Sequence, residues 1–449
     1  MRGFQNGTDD HAANNLPALD LDQTSACSIA PKFGCTLLQE AHPVRTWIRS
    51  PIALILALAS LGAISESVRQ QGVTDTEIRI GNVMPYSGGL AIFGEIGRAE
   101  AAYFEMLNER GGINGRKVRF ISHDDKSDPS LTLDRTRSLV EDDNVLLLFG
   151  SFGTPGNFAV RNYLNERQIP QLFIASGDDH LSDPSLFPWT MGWQPSTREE
   201  GRVYANYIQA FYPGKRIVAL WQNDQFGREV FRGMQDGLGD VARMIRVAIA
   251  YDIADAHLDT HVGILKRSGA EVFLFAGVPE NAAKVIRIAA GLNWYPVFIL
   301  NQMASPIATA LNPAGVENAS GAITAAFLKD ADDPAWKDEQ TTQEWQLFAE
   351  KYKQAGGKDG NAAAFGYTAA ETLAHVLRQC GNDLTRENIM NKAAALKDYQ
   401  GSRLLPGIKI NTGPWNYRPI NHLRLLQFDG RTWQPIGEVL ETAFANSRK

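Results

Sequence analysis

Apolar and polar positions along the chain alternate between two periods, and that alternation organises the sequence. From Glu77 onward, apolar runs of strand length are followed by stretches in which apolar residues recur every three or four positions. These are the marks of buried strands and amphipathic helices. Ile78–Val83 predicts a strand. Ile96–Arg110 predicts a helix with Ile96, Ala99, Tyr103, Met106 and Leu107 on one face, stopped by Gly111-Gly112. Lys117–Ser122 predicts the next strand, and Asp128-Pro129 supplies an N-cap and a first-turn proline for a helix to about Glu141. Val145–Phe149 and Gln171–Ala175 predict strands on either side of a helix from about Thr154 to Arg167. This rhythm predicts a mostly parallel sheet with helices on both faces.

Pro184–Trp193 interrupts the rhythm, which then restarts. Thr197-Arg198-Glu199-Glu200 has the form of a capping box for a helix to Phe211. Strands Ile217–Trp221, Ile245–Ala250, Val272–Ala276 and Val297–Leu300 alternate with helices Gly227–Leu238, Leu258–Ser268 and Pro279–Leu292. The remainder is more helical, at Gln343–Ala355, Ala363–Cys380 and Arg386–Leu396. It closes on strand-like pieces at Gly407–Ile410 and Leu423–Phe428, the latter before an Asp429-Gly430 turn. Two tandem α/β units joined by an irregular crossing predict two lobes. Open α/β sheets bind ligands at the carboxyl ends of their strands. The loops expected to matter are therefore Pro85–Gly94, Gly150–Gly156, Ala175–Asp179, Gln222–Gly227, Gly277–Glu280 and Asn301–Ala304.

Composition narrows the picture. A chain of 449 residues should form more than one compact unit, since single cores stop growing at about 250–300 residues. A net charge of −6 gives no electrostatic case for nucleic acid as a partner. Arg45 and Arg49 precede the apolar run Ile52–Leu61, and Ala63-Ile64-Ser65 follows it. The run is about half the length of a membrane span. Residues 1–65 are accordingly expected to be a leader and signal peptide, cleaved after Ser65 and absent from the fold of a periplasmic protein. The polar stretch upstream points to a reading frame extended past a start near Val44. Cys27 and Cys35 fall in that leader, so Cys380 alone would remain. It sits among Leu373, Val376 and Leu377 at helical spacing, which predicts packing; no disulfide or thiolate metal cluster is possible within one chain.

The most informative local stretch is Gly150-Ser151-Phe152-Gly153-Thr154-Pro155-Gly156-Asn157, between a buried strand and a helix. A small-residue turn leaves the amides of the first helical turn open at the positive end of the helix dipole, which makes an anion site. No G-K-[ST] follows, so a nucleoside triphosphate is a poor fit and a carboxylate held by Thr154 and nearby amides is the better one. The same residues would also serve a plain tight turn. Elsewhere, His257 and His261 stand four apart without the H-E-x-x-H pattern, on a helix remote from the cleft loops. His123-Asp124-Asp125 suits local turn hydrogen bonding. Asp178-Asp179-His180 follows a cleft loop and suits either ligand or a polar rim. Trp189, Trp193 and Trp221 suit packing. No G-x-S-x-G surrounds any serine. No catalytic nucleophile, metal site or cofactor site is expected, and the protein is not read as an enzyme.

Taken together, several pieces resemble the type I periplasmic substrate-binding proteins of ABC importers, in the branch that includes the leucine/isoleucine/valine-binding protein. They are Met84-Pro85-Tyr86-Ser87-Gly88, Phe93-Gly94, Asn108-Glu109-Arg110-Gly111-Gly112-Ile113-Asn114-Gly115, Asp124-Asp125, Pro129, the Gly150–Asn157 loop, Ile169-Pro170-Gln171, Ala175-Ser176-Gly177 and Asn223-Asp224-Gln225-Phe226-Gly227. Their order and spacing extend over about residues 77–430. The resemblance implies two doubly wound lobes with three crossovers and a ligand cleft between them, closing by hinge motion. One lobe would hold 77–193 plus about 324–402, and the other 194–323 plus about 403–437. It places a carboxylate grip on Thr154 and on Ala175, Ser176 and Gly177, the last where many relatives carry threonine. Phe93 would cover the ligand from the first lobe and Phe226 from the second, with Val278 near a position that amino-acid binders fill with tyrosine. Asn301-Gln302 stands where those binders place an acid for the α-ammonium. An ammonium left unpaired in a dry cleft costs several kcal/mol, so Gln302 points away from ordinary amino acids. The expected function is capture of a small aromatic or aliphatic organic acid and its delivery, as a monomer, to a permease in the inner membrane. A branched-chain amino acid or short amide is the alternative ligand, and a sensory domain the alternative role.

Overall fold

The computed structural model describes residues 71–352 and 359–442; the leader, signal peptide and cleavage site assigned to residues 1–65 lie outside them. Five strands form a first sheet: β1 (Glu77–Met84), β2 (Lys117–Asp124), β3 (Leu147–Phe149), β4 (Gln171–Ile174) and β5 (Thr190–Gly192). Their order is β2-β1-β3-β4-β5 and every pairing is parallel. Helices α1 (Gly94–Glu109), α2 (Pro129–Glu141) and α3 (Thr154–Glu166) connect them. Asp128 caps α2 by accepting the Ser130 N–H, ahead of Pro129 in the first turn, as its sequence predicts.

A second sheet contains β6 (Ile217–Gln222), β7 (Ile245–Tyr251), β8 (Val272–Ala276), β9 (Val297–Leu300), β10 (Ile323–Ala326), β11 (His422–Phe428) and β12 (Trp433–Glu441), in the order β12-β11-β10-β9-β8-β6-β7. β11 runs antiparallel to β10 and to β12; the other neighbours are parallel. Helices α4 (Thr197–Phe211), α5 (Gln225–Leu238), α6 (Leu258–Arg267) and α7 (Pro279–Gly291) belong to this half. Helices α8 (Gln340–Lys351), α9 (Gly360–Gln379) and α10 (Arg386–Ala393) follow, and α9 returns to pack on α1 and β4. Gly366 permits that return: a Cβ there would collide with the Ile96 carbonyl oxygen.

The chain passes between the halves three times, and the passages are packed together. Trp193 on the first lies edge-on to Phe365 of α9 and to Phe327 on the second, with ring centroids 4.7 and 5.7 Å away. The second and third passages are hydrogen bonded, Lys329 N–H to the Arg403 carbonyl and Leu405 N–H to that of Phe327, each at 2.9 Å.

Several elements differ from the sequence reading. The N-cap of α4 is Ser196, which accepts the Glu199 N–H at 3.2 Å, because the Thr197 N–H is taken by the Gly177 carbonyl at 2.9 Å. Gly407–Ile410 forms no strand; Ile410 makes one antiparallel bridge with Tyr399. Three strands were not expected. β5 lies within the segment taken as irregular, β10 is four residues long, and β12 is an edge strand that carries Pro435 and Gly437. Such short or edge strands carry too few alternations to register as a period. β10 pairs with β9 and β11 within the second sheet, through Ala326.

A buried acid ties α4 to the second sheet. Glu200 Oε1 accepts the Gln302 N–H and the Tyr204 hydroxyl, both at 2.7 Å, while that hydroxyl accepts the Ala325 N–H at 3.1 Å. Burial pushes the Glu200 carboxyl up to about 7, against the lowering effect of those hydrogen bonds. An acid with a raised folded pKa stabilises the fold below its unfolded value and loses that contribution as pH rises through the folded one. We expect Glu200→Gln to match the parent near pH 4.5 and to become progressively more stable than it up to about pH 7. The gap should reach about 3 kcal/mol, since one pKa unit is about 1.4 kcal/mol. Denaturant melts of both proteins across pH 4.5–8 check this; parallel curves would show that Glu200 does not titrate between the two states.

Candidate functional site

The loops at the carboxyl ends of the two sheets enclose a cavity of about 390 Å³. Its first-sheet wall starts at the Gly150–Gly156 turn. Gly150 and Gly153 take positive φ values of 67° and 94°, which turn the chain sharply between β3 and α3 at no steric cost. The N-cap of α3 is Gly153, and no side chain caps that helix. Its first turn therefore presents amide groups at the positive end of the dipole.

The loop after β4 is bonded alongside this turn. Ala175 N–H donates to the Ser151 carbonyl and Gly153 N–H to that of Ala175, at 3.1 and 3.2 Å. The pairing brings the Thr154 and Ser176 hydroxyls to 2.7 Å from each other, both nearly buried. Ser176 Oγ also accepts the Asp178 N–H at 3.3 Å. Gly177 is the close-approach glycine of the site. A Cβ there would lie 2.5 Å from the Pro195 carbonyl oxygen and collide with Thr197 Oγ1, which leaves no room for the threonine that the resemblance associates with this position.

Thr154, Ala175, Ser176, Gly177, Phe93, Phe226 and Val278 all line this one cavity. Phe93 stacks on Phe152 with centroids 4.7 Å apart and planes at 14°, so the first-sheet wall carries a pair of rings where one was expected. Gln302 lies elsewhere: it lines an adjoining chamber of about 90 Å³. Asn301 is fully buried, its Oδ1 accepting the Gly277 N–H at 2.8 Å, and it is not among the cavity's lining residues.

Each of the six expected loops contributes to one or both hollows. The sequence reading missed the loops after β2 and β7, which supply Asp125 and Ile253, and Gln194 on the first passage. Asp125 belongs to a pair whose spacing suggests a turn, and the turn is present: it accepts the Ser127 N–H at 2.9 Å and the Thr132 hydroxyl at 2.7 Å. Asp224 caps α5 by accepting the Gly227 N–H at 2.9 Å and takes the Gln222 amide on its other oxygen. Burial raises the pKa of both carboxyls against these hydrogen bonds.

The discounted constellations have structural partners. His261 Nε2 lies 2.8 Å from Asp255 Oδ2, and His257 stands at the N-cap of α6 rather than within it. Among the described residues no group of histidine, cysteine, aspartate and glutamate is arranged to hold a metal ion. Asp178 accepts the Gln225 amide at 3.1 Å and Asp179 pairs with Arg418 at 3.1 Å, so this loop joins the two halves. Cys380 is buried, and burial pushes its thiol up to about 11.

With this geometry in place, comparison with known proteins is decisive at the level of family. The sequence model of the periplasmic binding proteins matches residues 77–432. The chain belongs to that family. Among curated relatives it is 24% identical to an amino acid binding protein of Pseudomonas aeruginosa over 47% of this chain and 56% of that one. It is 19% identical to Leu/Ile/Val-binding protein homolog 1 of Brucella suis biovar 1, over 72% and 84% of the two chains. Solved structures similar in fold include the following two. A branched chain amino acid ABC transporter protein from Thermus thermophilus with bound valine superposes with TM-score 0.72 at 18% identity, covering 83% of this chain and 98% of that one. A solute binding protein from R. palustris in complex with benzoate superposes with TM-score 0.67 at 20% identity, covering 82% and 98%. The periplasmic binding protein described here thus has the type I fold that its sequence predicts, and family membership implies an extracytoplasmic location.

The close approach at Gly177 yields a test. Gly177→Thr should destabilise the protein by about 1–3 kcal/mol, because an inserted side chain forces backbone movement in a packed site. Thermal and urea unfolding measure it, and an unchanged midpoint would mean the loop has room that the 2.5 Å approach to Pro195 denies.

Proposed function

We propose that this periplasmic binding protein is the solute-capturing component of an ABC import system and that its ligand is a small organic carboxylate with an aromatic or aliphatic body. The observation that carries the reading is the Thr154–Ser176 hydroxyl pair beside the uncapped first turn of α3, facing a cavity walled by Phe93, Phe152, Phe226 and Val278. A carboxylate there gains hydroxyl and amide donors and the helix dipole, while its body is desolvated against rings. The two lobes, 77–193 plus about 324–402 and 194–323 plus about 403–437, would close by rotation about the three passages. The protein would act as a monomer that presents its closed form to a permease in the inner membrane. Its work would be binding, with the hydroxyl pair as a donor set; no histidine is among the described residues that line the cavity.

Thr154→Val should weaken binding of the cognate acid by roughly tenfold or more with little change in unfolding midpoint, since a hydrogen bond to a charged group contributes about 1.5–3 kcal/mol. Isothermal titration of both proteins decides, and equal affinities would remove Thr154 from the site.

A branched-chain amino acid is the second reading, favoured by the carboxyls of Asp125 and Asp224 on the cavity wall. Both are engaged by local donors and raised by burial, so neither is a ready counter-charge for an ammonium. Competition titrations should accordingly rank 4-hydroxybenzoate above leucine. Submicromolar leucine binding with failure of every plain acid would reverse the assignment.

A further inference from the structure

The cleft does not end at the Phe93–Phe152 stack. The adjoining chamber of about 90 Å³ shares Phe93, Phe152, Ala175, Gln194 and Met303 with it, so the two hollows meet across the same five side chains. The chamber sits where the passages between the halves converge, and its further walls are largely hydrocarbon and indole: Ile96, Trp336, Phe365, Leu405, Leu426 and Trp433.

Three carboxyls also line it, and all three are already occupied by backbone donors. Asp330 accepts the Ile307 and Asp332 N–H groups, each at 2.9 Å. Asp359 caps α9 through the Asn361 and Ala362 N–H groups at 3.0 and 3.1 Å. Asp333 accepts those of Ala335 and Trp433 at 2.8 and 2.9 Å. Burial pushes Asp330 up to about 7 and Asp359 up to about 6, which suits a low-dielectric hollow rather than a cation site. Such a space, bordering a ligand site and walled mainly by hydrocarbon and indole, has much to offer an alkyl chain.

We propose that this chamber is a second compartment of the ligand site and takes the hydrocarbon tail of an acid whose carboxylate is held at Thr154 and Ser176. The proposal rests on the carboxylate reading above and narrows it to linear or arylalkyl monocarboxylates longer than a single ring. Gln302, which lies in the chamber and not in the cleft, would then meet the tail rather than the head of the ligand.

The test is isothermal titration of the intact protein with butanoate, hexanoate, octanoate, decanoate, benzoate and 4-phenylbutanoate. Affinity should rise roughly fourfold for each methylene that enters the chamber, the usual return on burying one. Two variants fill the chamber from different elements, Ala362→Leu on α9 and Ala326→Leu on β10. Each should weaken decanoate at least about fifteenfold while leaving benzoate within about twofold, a loss equivalent to two or more buried methylenes. If one variant fails to fold, the other and the parent's chain-length series still decide. Affinity independent of chain length, or equal loss of benzoate and decanoate in the folded variants, overturns the tail compartment while benzoate binding leaves the carboxylate reading intact. Failure of every acid, short and long, overturns the carboxylate reading and the compartment with it.

Discussion

Trp193 is the side chain on which the arrangement of the two halves depends. It is fully buried and contacts a ring from the second passage, Phe327, and one from helix α9, Phe365, at 5.7 and 4.7 Å. Aromatic pairs of this edge-on kind contribute about 0.5–1.5 kcal/mol each beyond their buried area. None of the three rings lies on a strand of either sheet, and all three are part of the buried apolar cluster that runs through both. Around the rings the second and third passages run side by side with paired backbone hydrogen bonds. Both hollows are lined by residues on or next to these passages, Gln194 and Leu405 among them.

The cleft is built chiefly from loops, yet its first-sheet half is well determined. The turn before α3 and the loop after β4 hold each other by backbone bonds, so the Thr154–Ser176 contact is a consequence of main-chain pairing. The second-sheet wall is supplied by separate loops carrying Phe226, Ile253 and Val278. On the proposed reading, the donors fixed on the first-sheet wall would orient the head of a ligand, and the apolar side chains of the second-sheet wall would cover its body.

Much of this was legible in the sequence because the chemistry lies at strand ends. Long strands and helices announce themselves by period, and the rule that ligands bind at carboxyl strand ends selected the loops that meet around the cavity. What escaped did so for local reasons. Strand β10 is too short to show alternation, and β12 carries Pro435 and Gly437, residues that argue against a strand. Thr197 carries the letter pattern of a cap but spends its amide on Gly177, so Ser196 does the capping. Gln302 follows a cleft-facing strand, yet its backbone N–H is drawn onto Glu200 and its side chain borders the smaller hollow. Phe152 lay within the most informative motif; only the fold shows that it stacks on Phe93, fifty-nine positions earlier.

The bond from the Thr197 N–H to the Gly177 carbonyl joins the loop beside the Thr154–Ser176 hydroxyl pair to the first turn of α4. Peptide groups are planar and stiff, so a carbonyl held on one side of a residue constrains the amide on the other. On the proposed reading, a rotation that carried α4 away from the first sheet would pull on Gly177 and tilt the amides of its loop. Opening the cleft and loosening the grip would then be the same mechanical event. A receptor built this way would need no separate trigger to surrender its cargo: whatever drew the halves apart would also unfasten what they held.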